Sequence, residues 1–334
     1  MNIIVDAMGG DHAPDEIVRG AISAMHEYGV SITLVGDEEK IRPLLNGEEI
    51  PVVHAPDQVT MEDEPSGVMR EKKEASMFVA MRLLAEGKGD AMVSAGSTGA
   101  LLIGATLIVK RIKGIRRAAI CAVLPTAKGK SLLIDCGATS ECTAEYLEQF
   151  AVMGAYYTER VLGVSNPRVA LVSNGTEAHK GRALEKEAYA WLKQSGLNFI
   201  GNVEGRDVVL GGADVLVTDG FTGNVILKAI EGVAIFFAGE LKGMFLKSLG
   251  TKLAALFVKD GIRSLKKKMD YNETGGAPLI GLAKPVIKAH GSSKALTMKS
   301  AIYQAIAYVK TGIIADITRD VAAQNAQDDG KGSD

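Results

Sequence analysis

The sequence predicts a doubly wound α/β fold on a mostly parallel sheet, and three observations carry that reading. Short apolar runs recur along the chain, each closed by a polar glycine turn and many followed by a stretch of helical periodicity. The runs are near-continuous Val, Ile and Leu rather than alternating, as strands are when helices cover both faces. Thirty-eight glycines against nine prolines fit a chain with many tight strand-to-helix turns.

In chain order, the predicted strands are Asn2–Asp6, Ser31–Gly36, Pro51–His54, Ala91–Ser94, Ala118–Leu124, Ser131–Asp135, Arg168–Ser173 and Asp214–Thr218. Helical spacing of apolar residues fills gaps between them over Ser66–Glu86, Ala144–Leu162, Ala183–Ser195 and Lys294–Lys310. No internal repeat interrupts the alternation. Residues 1–320 therefore read as one α/β unit, or as two lobes with a cleft between them, and the polar stretch Gln324–Asp334 reads as a disordered tail.

Composition narrows the function. A 47% hydrophobic, 23% charged chain with pI near 6.3 and 5% aromatics carries no nucleic-acid signature. Cys121, Cys136 and Cys142 match no zinc spacing and read as free packed thiols, so no metal site is expected. The N-terminus enters a strand directly, without a basic leader segment, and the longest uncharged run, Ala91–Val109, is rich in Gly, Ser and Thr. A cytosolic chain is expected.

In open α/β sheets ligands bind beyond the carboxyl ends of strands. Four turns at such positions combine glycine with Ser, Thr or Asn: MGGDHAP (8–14), SAGSTGALL (94–102), SNGTEAHKG (173–181) and TDGFTGN (218–224); HGSS (290–293) is a fifth. Glycine lets backbone amides face a ligand, and a following helix N-terminus adds unpaired N–H groups. Such turns are ordinary α/β architecture singly; four of one chemistry point to an oxyanion site. No Walker A sequence is present, since Leu124 stands where Gly129-Lys130-Ser131 would need a glycine. No GxGxxG occurs, so no nucleotide cofactor is expected, and no GxSxG elbow or recognisable catalytic cysteine supplies a nucleophile. His12 and His290, each inside a turn, either bind phosphate and move a proton or cap helices. Lys180 is either a point charge for an anion or a solvated lysine.

IIVDAMGGDHAP, SAGSTGALL and VTDGFTGNVILK, with EKKEASM (71–77), VSNGTEAHKG (172–181) and HGSSKA (290–295), closely resemble the bacterial phosphate acyltransferases of phospholipid synthesis, over residues 1 to about 315. Ser97 stands where asparagine is also familiar. The resemblance implies a fold related to phosphotransacetylases and isocitrate-type dehydrogenases, and a homodimer. It implies an acyl phosphate made from acyl-acyl carrier protein and inorganic phosphate, then passed to a membrane acyltransferase acting on glycerol 3-phosphate. On this reading Gly96, Ser97, Thr98 and Gly99 hold phosphate or oxyanion, with Gly9 and Gly10 beside them. Asn174, Gly175, Thr176 and Lys180 face the phosphate from a second turn, Asp219, Gly220, Thr222, Gly223 and Asn224 from a third, and His290 and Ser292 from a fourth. Asp11 and His12 orient phosphate or accept its proton. Direct attack fits the missing nucleophile, because phosphate is itself the nucleophile and a thiol of pKa about 8.5 leaves without acid help.

One stretch stands apart. Apolar residues at Leu241, Phe245, Leu249, Leu253, Leu256 and Phe257 have helical spacing interrupted by Gly250, and predict two helices meeting at a bend within residues 228–269, projecting from the body. Eight Lys/Arg and one acid between Lys242 and Lys268 give a local charge of +7, leaving −9 for the rest of a chain whose total is −2. The pair either meets its copy in a dimer or also docks reversibly on a membrane through Leu253, Leu256, Phe257 and Val258, at the inner face of the cell membrane. A second basic cluster, Lys110, Arg111, Lys113, Arg116 and Arg117, is either a solvated surface or a landing place for the acidic carrier protein. Two other functions share these features: a phosphotransacetylase using acyl-CoA, and a non-catalytic membrane scaffold that binds acyl phosphate or lipid.

Overall fold

A computed structural model of the chain describes residues 1–60, 62–269 and 275–321. The tail expected over 324–334 lies outside the described residues. The strands are β1 (Asn2–Asp6), β2 (Ser31–Gly36), β3 (Val52–His54), β4 (Ala91–Ser94), β5 (Ala119–Thr126), β6 (Gly129–Ile134), β7 (Val169–Ser173), β8 (Phe199–Glu204), β9 (Val215–Val217), β10 (Ala277–Ile280) and β11 (Val286–Lys288). They form a single sheet in the order β3-β2-β1-β4-β11-β10-β5-β6-β9-β7-β8. Pairing is parallel from β3 to β11 and again from β6 to β8. The centre, β11-β10-β5-β6, is antiparallel. Two parallel wings thus meet at an antiparallel seam.

The helices are α1 (Asp15–Tyr28), α2 (Glu38–Ile41), α3 (Pro65–Glu71), α4 (Ser76–Ala85), α5 (Thr98–Gly104), α6 (Ala144–Arg160), α7 (Ala183–Gln194), α8 (Asp207–Leu210), α9 (Gly220–Leu246), α10 (Leu249–Met269) and α11 (Ala295–Thr311). They cover both faces of the sheet, and successive strand residues show it. Ile3 and Val5 of β1 join one buried cluster with residues of α1, α6 and α11, while Ile4 joins the other with residues of α4 and α5. Leu132 and Ile134 of β6 separate from Leu133 in the same way. A strand buried on both sides must be apolar throughout, which is why the runs do not alternate.

All eight predicted strands appear with ends within two residues of expectation. The helix expected over Ser66–Glu86 is two: Lys72 ends α3, and Ala75, extended at φ −63 and ψ 140, starts α4. Helix α9 has only Gly220 and Gly223 buried; Ile226, Leu227 and Ile230 still pack against the core, beyond them it projects from the body, and α10 packs back against it. The joint falls at Lys247–Ser248 rather than at Gly250. The Ser248 and Thr251 hydroxyls accept each other's backbone N–H groups there, at 3.2 and 2.9 Å, which caps the start of α10. Among the described residues, α9 is the one helix long and apolar enough to cross a membrane by length and composition.

Candidate functional site

Three of the glycine turns interlock at the carboxyl ends of β1, β4 and β11. The Asp11 amide donates to the Gly291 carbonyl at 2.8 Å. A Cβ on Gly10, whose φ is +104°, would lie 2.9 Å from both Gly291 O and Ala95 Cβ. One on Gly9 would lie 2.7 Å from the Gly96 amide nitrogen. Side chains are excluded here because backbone must meet backbone. Beneath them Asp6 is buried, and it accepts the Ser76 and Ser94 hydroxyls, each at 2.6 Å, and the Met8 amide at 3.3 Å. Burial pushes its pKa up against these hydrogen bonds.

A second group forms at the ends of β6, β7 and β9. Asp135, just past β6, is fully buried and accepts the amides of Ile120 (2.9 Å), Ala138 (3.1 Å) and Thr139 (2.7 Å). Burial nevertheless lifts its pKa to about 6. Helix α9 starts directly on this residue. A Cβ on Gly220 would come within 2.6 Å of the Asp135 carboxylate, and one on Gly223 within 1.9 Å of its carbonyl oxygen. Asp219 caps α9, taking the Thr222 amide at 2.8 Å and its hydroxyl at 2.9 Å. The Arg182 guanidinium, at the start of α7, bridges Asp219 and Glu185. Burial pushes the Asp219 carboxyl up, but the Thr222 and Arg182 hydrogen bonds outweigh it and hold the pKa below the usual carboxylate range.

Between the two groups lies a cleft of about 460 Å³. One wall is the start of α5, Thr98 and Gly99; opposite stand Gly137 and the α9 residues Asn224, Leu227, Lys228 and Glu231. The end of β11, Lys288 to His290, closes the floor, and Ile120, Ala122 and Leu124 of β5 with Ala277 give an apolar side. His290 Nδ1 accepts the Ser292 amide at 3.2 Å and meets its hydroxyl at 2.8 Å. Burial, then Lys228 and Lys288, lower its pKa. Lys228 is answered by Glu231 at 2.7 Å. Cys136, also in the lining, donates its thiol to the Ile120 carbonyl at 3.0 Å, and burial raises its pKa well above the ordinary thiol value. The thiolate is therefore suppressed.

Of the residues singled out from sequence, Thr98, Gly99, Asn224 and His290 line this cleft. Gly9, Gly10, Gly96 and Ser97 build the turn beneath it, and Asp219, Gly220, Thr222 and Gly223 build the start of α9. Asp11, His12 and Ser292 are exposed and lie outside this lining. The turn 173–181 is outside the lining: Asn174 and Thr176 are exposed, and Lys180 folds over Gly175, where a Cβ would meet its Cγ at 2.8 Å. Arg182, the residue just after that turn, reaches the site through its ion pair with Asp219. Sequence reasoning missed Lys288, Arg182, Asp135 and Asp6. Each is one charged residue at the end of an apolar run or turn, and no spacing pattern marks it.

Leu253, Leu256, Phe257 and Val258 are all exposed on α10, Phe257 at 91%. In the basic cluster, Arg116 pairs with Glu145 at 2.8 Å and Arg117 lies 5.6 Å over the Tyr146 ring. Among the described residues no group of three or more His, Cys, Asp or Glu is placed to hold a metal ion.

Comparison with known proteins adds an independent line. The profile of a family described as "Fatty acid synthesis protein" matches residues 1–316. A protein of Geobacillus thermodenitrificans named phosphate acyltransferase is 49% identical over 320 residues, 95% of this chain and 98% of that protein. One of the same name from Alkaliphilus oremlandii is 47% identical over 328 residues, 97% of this chain and 98% of its own length. In three dimensions the chain is similar to a phosphotransacetylase from Streptococcus pyogenes, with TM-score 0.63 at 20% identity, covering 92% of this chain and 94% of that one.

Proposed function

This chain belongs to the phosphate acyltransferase family, and from that premise we propose that it makes acyl phosphate from acyl-acyl carrier protein and inorganic phosphate by direct attack. The observation that carries the reading is the cleft itself. Backbone donors and glycine turns stand at one side, an apolar β5 wall at the other, and the one thiol in its lining is held protonated. A phosphate oxygen attacks the thioester carbon, the C–O bond forms, the C–S bond breaks, and the carrier leaves as a thiolate that takes up a proton. No enzyme-bound acyl group arises.

The chain's part is positioning and charge. Holding phosphate against the thioester supplies up to about 7–11 kcal/mol in favourable systems. Donors aimed at the developing oxyanion matter by about 10²–10³ in rate each. The Thr98 and Gly99 amides at the start of α5 and the Asn224 side chain are the donors nearest this task. Gly9, Gly10, Gly96 and Ser97 shape the floor, Asp11, His12 and Ser292 the rim, and Thr222 the start of α9. Asn174, Gly175, Thr176 and Lys180 join the phosphate site only if the 173–181 turn swings toward Asp219.

The exposed apolar length of α9, including Val233, Ile235, Phe236 and Phe237, suits cover by a second copy in a homodimer. The tip of α10, basic in sequence and apolar at Leu253, Leu256 and Phe257, suits reversible docking on an anionic membrane surface at the cytoplasmic face, where a labile fatty product is consumed by a membrane acyltransferase. The basic 110–117 segment suits an acidic carrier protein.

The test is a donor comparison. Purified chain is given phosphate with either acyl-carrier protein or acyl-CoA of one chain length, and acyl phosphate is trapped as the hydroxamate. Preference for the carrier protein is expected. Equal use of acyl-CoA would favour a phosphotransacetylase, and no product from either would leave only a binding role.

A further inference from the structure

Lys288 is the last residue of β11, and its Cα pairs with Ser94 of β4. Ser94 in turn donates to Asp6 at the end of β1. Three polar side chains therefore stand in one row across the carboxyl edge of three adjacent parallel strands. Only 8% of Lys288 is exposed, and it lines the cleft floor beside Thr98, Gly99, Asn224 and His290. Its ammonium donates to the carbonyls of Ala95 (3.4 Å) and Ala289. That accounts for two of three N–H groups. Among the described residues no carboxylate pairs with it, whereas the neighbouring Lys228 is already paired with Glu231.

A buried ammonium without a counter-ion is expensive, and a fold that needed only volume here would carry methionine. Resting on the acyl phosphate reading above, we propose that Lys288 is the cation that binds the phosphate nucleophile at the cleft floor and neutralises the charge that grows on the thioester oxygen. The two carbonyls aim the ammonium, and the third N–H is left for the ligand. The surrounding charges agree with this. Asp6 from β1 and Asp11 from the following turn favour the cation; Lys228 of α9 opposes it, and Glu231 and His290 complete the set facing the floor. Burial is the largest influence and brings the Lys288 pKa down to about 8. The empty enzyme thus loses this cation at mildly alkaline pH, and kcat/KM reports the free enzyme.

The experiment uses the full chain and the variants Lys288→Met and Lys288→Arg, with phosphate varied at fixed acyl-carrier protein between pH 6.5 and about 9.5. For Lys288→Met, kcat/KM for phosphate falls by about 10²–10³ while KM for the acyl donor stays within a few-fold. Wild type loses about tenfold in kcat/KM per pH unit above pH 8, and Lys288→Arg, which keeps its charge, retains part of the activity and lacks that limb. Inorganic phosphate alone raises the Tm of wild type and of Lys288→Arg but not of Lys288→Met. That measurement stands even if the wild type makes no acyl phosphate, an outcome that would overturn the acyl transfer reading alone. A folded Lys288→Met with phosphate kcat/KM within twofold of wild type, or with undiminished phosphate stabilisation, overturns the proposal. If Lys288→Met does not fold, an alkaline limb in Lys288→Arg identical to wild type overturns it.

Discussion

Gly223 leaves no room for a side chain over Asp135: a Cβ there would sit 1.9 Å from the Asp135 carbonyl oxygen. Helix α9 is seated against the end of β6 at that point, and Asn224, the next residue, faces the cleft. The seating of one helix thus sets the width of the site.

Gly223→Ala is expected to destabilise the chain by about 1–3 kcal/mol or more, since the overlap is with backbone that cannot rotate away. Gly232→Ala, on the same helix with nothing within 4 Å of its Cβ position, is expected to be neutral or stabilising by up to about 1 kcal/mol. Chemical denaturation of both variants checks the contrast, and equal effects would show that α9 is not wedged at its start.

Asp219→Ala removes the cap of α9 and leaves Arg182 paired with Glu185 alone, at an expected cost of about 1–3 kcal/mol and with lower activity. The pH dependence has a definite sign. The folded pKa of Asp219 lies below its ordinary 3.8, so its contribution is present above that value and is lost as pH falls through the lower folded one. Acid titration of stability should therefore flatten in Asp219→Asn relative to wild type.

Asn224→Ala and Lys180→Ala separate the two turns proposed to hold phosphate. Asn224 lines the cleft and Lys180 does not, so the asparagine variant should lose about 10²-fold in kcat/KM for phosphate. The lysine variant should change severalfold at most. The reverse ranking in initial-rate kinetics would mean that the 173–181 turn closes over the substrate.

Leu256→Glu with Phe257→Glu places two acids on side chains that are 66% and 91% exposed, so folding and solution activity should be retained. Each fully buried large apolar side chain contributes about 1.5–3 kcal/mol, and each nearby lysine about 1 kcal/mol on an anionic leaflet. Flotation with anionic liposomes should show binding lost in the double variant; equal binding to wild type removes the tip as an anchor.

The parallel wings were legible because their strands are unbroken apolar runs that end in glycine turns. Strands β8, β10 and β11 were not. β8 carries Gly201 at φ +98° and runs along the sheet edge half exposed; β10 contains Pro278; β11 is only Val-Ile-Lys after Pro285. Too short or too interrupted to show periodicity, they are placed by the strands they pair with. The same limit hid the floor of the cleft. Lys288 at the end of a three-residue strand reads as a surface lysine, and only the β4–β11 pairing carries it inward. The glycine turns marked where the cleft lies, through Thr98, Gly99, Asn224 and His290, while the ion pairs that brace it, Arg182 to Asp219 above all, join positions 37 residues apart with no pattern between them.

The seam of the sheet has a consequence for biosynthesis. Strands β10 and β11 arrive late in the chain yet sit between β4 and β5, at the middle of the finished molecule. A nascent polypeptide that has emerged only through β9 holds two half-sheets with raw facing edges and no chamber for either reactant. The cleft gains Lys288 and the rest of its β11 lining only when the last fifth of the polypeptide threads home, and an unpaired strand edge left open until then is a template for the wrong neighbour.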